Sequence, residues 1–428
     1  MKLKRIYLIK IIAMVAVLTL ILTSCDGRED SSSQGKKTLT VFTMDELVFE
    51  PIMEFTNYNP HWRIEIEEGL DDPDNASDGI KKLNAELFSG KGPDIIIMDE
   101  LNADKYIEAG LLEDITDIVE DTEGVSEKII DNQRVDGAIY TMPMGFQLIM
   151  NSASPELDVS FHNFSDFISS TESKKCRFSE WYPSMAGLWF RTEIGDTVDY
   201  NHKITEDELK IFYSNLKELY QYMGRDPYML HYSFDNFRAV DLPFFRFFDT
   251  DRFMINGNEF EEINISRDYI GSLYDVQIAF LFQRDGLMDF SFYEDKEGYG
   301  YIPRYIMAIN KNARNKEAAL ECLKFMIGTG QEYMSRAQMF PTNTGYLNMK
   351  IKESAGNEVN MEYVEGMSNN EKLKLIKVIN NLGKGIVTDT YEIEIVMQGA
   401  EEYLLNKENI DTACEKTMNK LNIYYSER

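Results

Sequence analysis

Leu87-Phe88-Ser89-Gly90-Lys91-Gly92-Pro93-Asp94-Ile95-Ile96-Ile97-Met98-Asp99-Glu100 holds a helix end, a strand and a strand exit in one short run. Ile80, Leu83 and Leu87 recur at helical spacing. Gly90 and Gly92 break that helix, because glycine takes the left-handed conformation of a helix end without cost. Pro93 lacks a backbone donor and belongs at a strand entrance. Ile95 to Met98 is continuously apolar, as a strand covered on both faces is. A second helix runs from about Asp104 to Gly110. Helix, strand, helix is the unit of a parallel α/β sheet, where ligands lie beyond the carboxyl ends of the strands. Asp99 and Glu100 are therefore cleft candidates, with a solvated acidic loop as the plain alternative.

The ordered set is specific. Gly90-x-Gly92-Pro93-Asp94-Ile95-Ile96, a polar pair, Tyr106, then Gly110-Leu111-Leu112-x-Asp114-Ile115-Thr116 resembles the first-lobe signature of extracellular solute-binding protein family 1. These are the ligand-capturing subunits of ABC importers, whose ligands are mostly sugars. The resemblance implies an α/β, two-lobed periplasmic-binding-protein-like fold of type II. It also implies mainly parallel sheets flanked by helices, and three hinge crossings.

The chain has 428 residues. At about 100–200 residues per domain this is two or three domains. A net charge of −29 argues against nucleic-acid binding, which needs a basic surface. Lys2, Lys4 and Arg5 precede an apolar run from Ile11 to Leu22 that is short for a membrane span. Leu22-Thr23-Ser24-Cys25 resembles the bacterial lipobox, which implies acylation of Cys25. Residues 1–24 are then a lipoprotein signal peptide and 25–37 a flexible tether, with an uncleaved signal anchor as the rival reading. Cys176, Cys322 and Cys414 remain, an odd number and no disulfide framework. Cys322 and Cys414 fall within amphipathic helical patterns, as small buried hydrophobes do.

Further along, Leu39 to Phe42 reads as a strand and Arg63 to Glu67 as a half-exposed one. Val48, Ile52 and Phe55 form a helical stripe between them. Asp71 to Gly79 lacks calcium-loop spacing and reads as a turn and N-cap before Ile80. Tyr140-x-x-Pro143, the apolar run Phe146 to Met150 and Asn151 resemble the family's first crossing. Gly298 to Pro303 leads into a strand from Tyr305 to Ile309, and with Asn312 to Ile327 this resembles the second crossing and the helix after it, with Gly328 as cap. Gln331 to Asn343 resembles the third. This division places lobe 1 at 38–145 and 304–340, and lobe 2 at 146–303 and 341–428. Ile204 to Tyr222 reads as an amphipathic helix. Ser266 to Gly286 has helical apolar spacing, with Ser266 as N-cap. Thr412 to Glu415 reads as a capping box for the last helix, whose buried stripe is Cys414, Met418, Leu421 and Tyr425.

His61, His162, His202 and His231 are scattered, and no metal, nucleophile-elbow or phosphate-loop motif is present. No catalytic residue, metal site or cofactor is expected. A sugar asks instead for aromatic faces and for carboxylates, amides or arginines to meet its hydroxyls. The ligand-binding candidates are Asp45, Glu46, Asp99, Glu100, Trp181, Tyr182, Trp189, Tyr301 and Arg304, with helix core as the alternative for the aromatics of 181–189. The expected protein is a lipid-anchored, monomeric, extracytoplasmic substrate-binding subunit. It captures a solute, a mono- or oligosaccharide, by hinge closure and docks on ABC permease subunits. Three alternatives stand beside it: the same fold binding a non-sugar solute, a surface hydrolase with paired carboxylates, and a sensory or adhesion lipoprotein.

Overall fold

The structure is a computed structural model. It describes residues 36–44, 49–69, 76–99, 101–153, 155, 165–166, 190, 192, 203–222, 265–337, 339–353, 366–386 and 390–427. It opens with strand β1 (Lys37–Thr43), helix α1 (Phe49–Tyr58), strand β2 (Trp62–Glu68), helix α2 (Ala76–Phe88) and strand β3 (Ile95–Ile97). β1 lies between β2 and β3 and is parallel to both, with Val41 opposite Ile66 and Ile95. Leu39 and Val41 pack with Ile52 and Phe55 of α1, whereas Phe42 packs with Leu83 and Leu87 of α2. Helices on both faces explain why Ile95 to Ile97 are apolar without alternation. Each such side chain, fully buried, contributes roughly 1.5–3 kcal/mol.

The glycines before β3 behave as their positions require. Gly90 and Gly92 have φ of 73° and 98°. Asp94, 2% exposed, then locks the sheet. Its Oδ2 accepts from the Thr40 amide at 3.0 Å and the Thr40 hydroxyl at 3.1 Å, and its Oδ1 accepts from the Asn315 amide at 3.0 Å.

Short helices α3 (Ala103–Glu108), α4 (Thr116–Glu120) and α5 (Glu127–Asn132) follow, then the hairpin β4 (Arg134–Val135) and β5 (Ala138–Ile139). The long strand β6 (Thr141–Ala153) is buried at every position. Beyond it lie α6 (Glu206–Tyr222), β7 (Ile265–Ile270), α7 (Leu273–Arg284), β8 (Asp289–Phe292), β9 (Glu294–Asp295) and the second long strand, β10 (Gly298–Ile309). The chain continues as α8 (Lys316–Ile327), a 3-10 helix (Thr329–Ala337), β11 (Phe340–Pro341), α9 (Thr344–Glu353), α10 (Asn369–Asn380), β12 (Leu382–Gly385), α11 (Thr390–Leu404) and α12 (Ile410–Glu427).

β6 and β10 run antiparallel and tie the halves of the sheet together. Met307 to Ile309 of β10 pair with β3, whereas Tyr299 and Tyr301 pair with β12. The far half of β6 pairs with β7 and β8. β11 joins at the middle: Phe146 faces both Pro303 and Phe340, and Gly145 faces both Arg304 and Pro341. All three crossing-like segments thus meet at one level.

Several expectations are corrected. Ile265 to Ile270 is a strand paired residue by residue with β6, not the start of a helix. The helix begins after Gly271, with Ser272 as N-cap. Tertiary pairing outweighs the helical spacing of these residues. α2 begins at Ala76, so Ser77 to Gly79 lie inside its first turns rather than in a turn before Ile80. α12 begins before Thr412, whose amide donates to Asn409 Oδ1 at 3.0 Å, so Thr412 is not the cap. Gly328 closes α8 with φ of −106°, not in a left-handed turn; a Cβ there would lie 2.8 Å from the Lys324 carbonyl. Cys322 and Cys414 are free and buried, as expected.

Candidate functional site

Alternation along β6 and β10 gives the sheet two unlike faces. On one face, Met142, Met144, Phe146, Leu148 and Met150 of β6 join Tyr301, Tyr305, Met307 and Ile309 of β10. They belong to a single core that runs from α1 to α10. On the other face the buried apolar side chains of the described residues form two separate clusters. Ile306 and Ala308 pack with Phe42, Ile96 and Met98, whereas Ile149 and Ile302 pack with Tyr293 and Ile386. Between these two clusters stand Arg304 on β10, and Gly145 and Gln147 on β6. Period-two alternation puts them on that face.

Gln147 is the informative residue. It is 8% exposed, and its amide meets no hydrogen-bond partner among the described residues, although it is not one of the fully buried unpaired groups. An amide left open on a largely buried residue between two half-cores is a polar group of the kind that orients a ligand. Arg304 is also 8% exposed, and its Nη1 lies 3.7 Å from Asp99 Oδ1. Asp99 follows β3 and accepts from the backbone amides of Tyr305 at 2.8 Å and Ile306 at 2.7 Å. The arrangement offers an amide, a guanidinium and a backbone bend. Among the described residues no cluster of histidine, cysteine or carboxylate side chains is placed to hold a metal ion.

Of the residues singled out from sequence, the structure brings Asp99 and Arg304 together. Tyr301 lies in the core, 0% exposed, edge-on to Phe146 with ring centroids 5.7 Å apart. Its hydroxyl accepts from Asn132 Nδ2 at 2.9 Å, and burial raises its pKa above the ordinary phenol value. Asp45, Glu46, Glu100, Trp181, Tyr182 and Trp189 lie outside the described residues. Gln147 was missed. Its signal is a lone amide inside the apolar run Phe146 to Met150.

No protein-family model matches the sequence, and no curated protein matches it. Solved structures do match the fold. A sugar transporter of Rhizobium etli, in an open conformation, aligns at a TM-score of 0.56 and 14% identity, covering 90% of this chain and 99% of that one. Maltose-bound MalE3 of T. maritima aligns at 0.56 and 16% identity, over 90% of this chain and 99% of that one. The galacto-N-biose/lacto-N-biose I-binding protein of an ABC transporter of Bifidobacterium longum, in complex with lacto-N-biose, aligns at 0.54 and 14% identity, over 91% and 96%. The chain has the two-lobed fold of the periplasmic-binding proteins. The three segments that resemble crossings in the sequence, β6, β10 and β11, lie side by side in this fold, and the Arg304–Gly145–Gln147 face belongs to them. No helix among the described residues is long and apolar enough to cross a membrane.

Proposed function

We propose that this chain is the solute-capturing subunit of an ABC importer, a binding protein rather than an enzyme, and that its solute is a carbohydrate. The observation that carries the reading is the polar gap at Gln147 and Arg304, set where three crossings meet in a two-lobed fold. Support for a sugar comes from structural neighbours described as a sugar transporter, a maltose-bound protein and a protein in complex with lacto-N-biose. Amide and guanidinium groups hydrogen-bond hydroxyls without demanding a charged ligand. Capture proceeds by population shift: a solute touching both lobes binds the closed form better and draws the hinge shut. Acylation at Cys25 holds the protein at the extracytoplasmic face of the membrane, beside its permease. The lobes divide at residues 145–146, 303–304 and 340–341.

A thermal-shift panel of mono- and oligosaccharides, amino acids and inorganic anions tests the reading. A solute at a hundred times its Kd stabilises by roughly 2.7 kcal/mol and raises Tm by a measurable step. A hit among saccharides supports the proposal. A hit confined to amino acids or anions overturns the carbohydrate assignment, and no hit in the panel overturns the binding-protein reading.

A further inference from the structure

Asp99 stands where β3 runs out against β10. Ile97 pairs with Met307, and Met98 donates its amide to the Ile306 carbonyl at 2.7 Å. One residue further on, a side chain takes over from the backbone ladder. The Asp99 carboxylate accepts from Tyr305 N–H with one oxygen and from Ile306 N–H with the other. Tyr305 itself has φ of 51°, a left-handed conformation that a bulky residue keeps only where its surroundings impose it. Two successive amides turned to one side form a nest for an anion. Here the anion is built in, on a side chain only 6% exposed.

The location matters as much as the geometry. The turn immediately follows Arg304, which faces Gly145 at the level where the three crossings meet. Ile306 lies opposite Pro143, and Pro303 and Pro341 flank the same level. Prolines have no amide to give the ladder. Pro143, Pro303 and Pro341 thus give this level no amide, and Asp99 accepts the two amides of Tyr305 and Ile306.

We propose that Asp99 is a hinge clamp: a positioning residue whose carboxylate fixes the left-handed turn at Tyr305, and with it the angle between the lobes and the aim of Arg304. Its oxygens serve the backbone, and the captured solute is left to other groups. This rests on the binding-protein reading only for what the hinge is used for, and the clamp is read out with no solute present.

The test compares Asp99→Ala, Asp99→Asn, Tyr305→Gly and the double variant Asp99→Ala/Tyr305→Gly in the purified, solute-free protein. Hydrogen exchange is followed in peptides spanning residues 304–306. Spin labels at Phe88 and Leu373, which are 59% and 63% exposed, report the interlobe distance. Asp99→Ala is expected to speed local exchange by about tenfold or more and to broaden the distance distribution, with Asp99→Asn intermediate. Glycine holds a positive φ unaided, so in the Tyr305→Gly background the effect of losing Asp99 shrinks by about threefold or more. Gly399→Ala, a destabilising change in α11, should leave the distance distribution unaltered. Exchange unchanged in Asp99→Ala, or an equal effect in both backgrounds, overturns the clamp. If Asp99→Ala does not fold, Asp99→Asn with and without Tyr305→Gly makes the same comparison. An empty solute panel would overturn the transport reading while leaving these results standing.

Discussion

Asn132, the last residue of α5, donates its side-chain amide to the Tyr301 hydroxyl at 2.9 Å and to the Gly383 carbonyl at 3.0 Å. It ties the segment before β6 to β10 and to β12. Replacing Asn132 by Leu strands the buried Tyr301 hydroxyl and should cost about 1–3 kcal/mol. Tyr301→Phe keeps the bond to Gly383 and should cost only about 0.5–1.5 kcal/mol. Urea denaturation of the two variants checks the order; equal losses would show that the Gly383 bond and the stranded hydroxyl add nothing beyond the bond to Tyr301.

Gly145 pairs with Pro341 where β11 joins β6. A Cβ at that position would lie 2.9 Å from Met339 Cβ and 3.1 Å from the Phe340 carbonyl oxygen. Neither is the far end of a flexible side chain, so backbone has to move. Gly145→Ala should cost about 1–3 kcal/mol as an overpacked core site. The measurement is denaturant midpoint together with exchange of the β11 amides, which should rise as that strand is pushed away. A variant as stable as wild type, with β11 still protected, would refute this account.

Gly399 sits inside α11, where alanine ordinarily gains about 1 kcal/mol of helix propensity. Here a Cβ would fall 1.9 Å from Thr417 Oγ1 and 2.4 Å from the Tyr213 hydroxyl. That hydroxyl donates to the Val396 carbonyl at 2.7 Å in a fully buried site between α6, α11 and α12. Overpacking of about 1–3 kcal/mol, plus a buried hydrogen bond disturbed at a similar cost, exceeds the propensity gain. Gly399→Ala should therefore lower Tm, against the usual trend for exposed helix glycines, and Tyr213→Phe in the same background should recover part of the loss.

Glu371 links stability to pH. Burial works against its charge. The Ser368 amide at 2.6 Å, the Ser368 hydroxyl in the capping box of α10 and Arg284 at 2.9 Å outweigh burial and hold its pKa below the ordinary value. A depressed carboxylate stabilises the fold at pH above its unfolded pKa of about 4.3, and that contribution drains away as pH falls through the lower folded value. Glu371→Gln should be less stable than wild type near neutrality, and the gap should close below about pH 4. A gap independent of pH would assign the loss to shape rather than charge.

Much of the fold is legible because its signals are local. Gly90, Gly92 and the Ile95 to Ile97 run dictate their own conformations, and the long strands β6 and β10 carry apolar runs beside Pro143 and Pro303. What escapes the sequence is long-range. Asp94 reads as a strand flank, yet it binds Thr40 and Asn315, the latter 221 residues away. Ile265 to Ile270 is a strand because β6 lies beside it. A capping box does occur, at Ser368 and Glu371 rather than at Thr412 and Glu415. Both stretches fit the pattern, and only the start of the helix decides between them. The site follows the same rule: Asp99 is visible as an acid after a strand, but its engagement by Tyr305 and Ile306 is not.

Gln147 gives the sharpest test of where the solute lies. Residues that hold a fold together lose stability when truncated, and residues that hold a ligand lose affinity. Gln147 is 8% exposed and has no hydrogen-bond partner among the described residues, so removing its amide breaks no hydrogen bond there. Gln147→Leu keeps the volume and should leave the solute-free Tm nearly unchanged, since the amide has no hydrogen bond to lose among the described residues. With the saccharide that gives the largest thermal shift, the same variant should bind about tenfold more weakly, equivalent to about 1.4 kcal/mol. Isothermal titration beside a solute-free melt separates the two quantities. A lower solute-free Tm with unchanged affinity would place Gln147 in the scaffold and move the site away from the floor of β6 and β10.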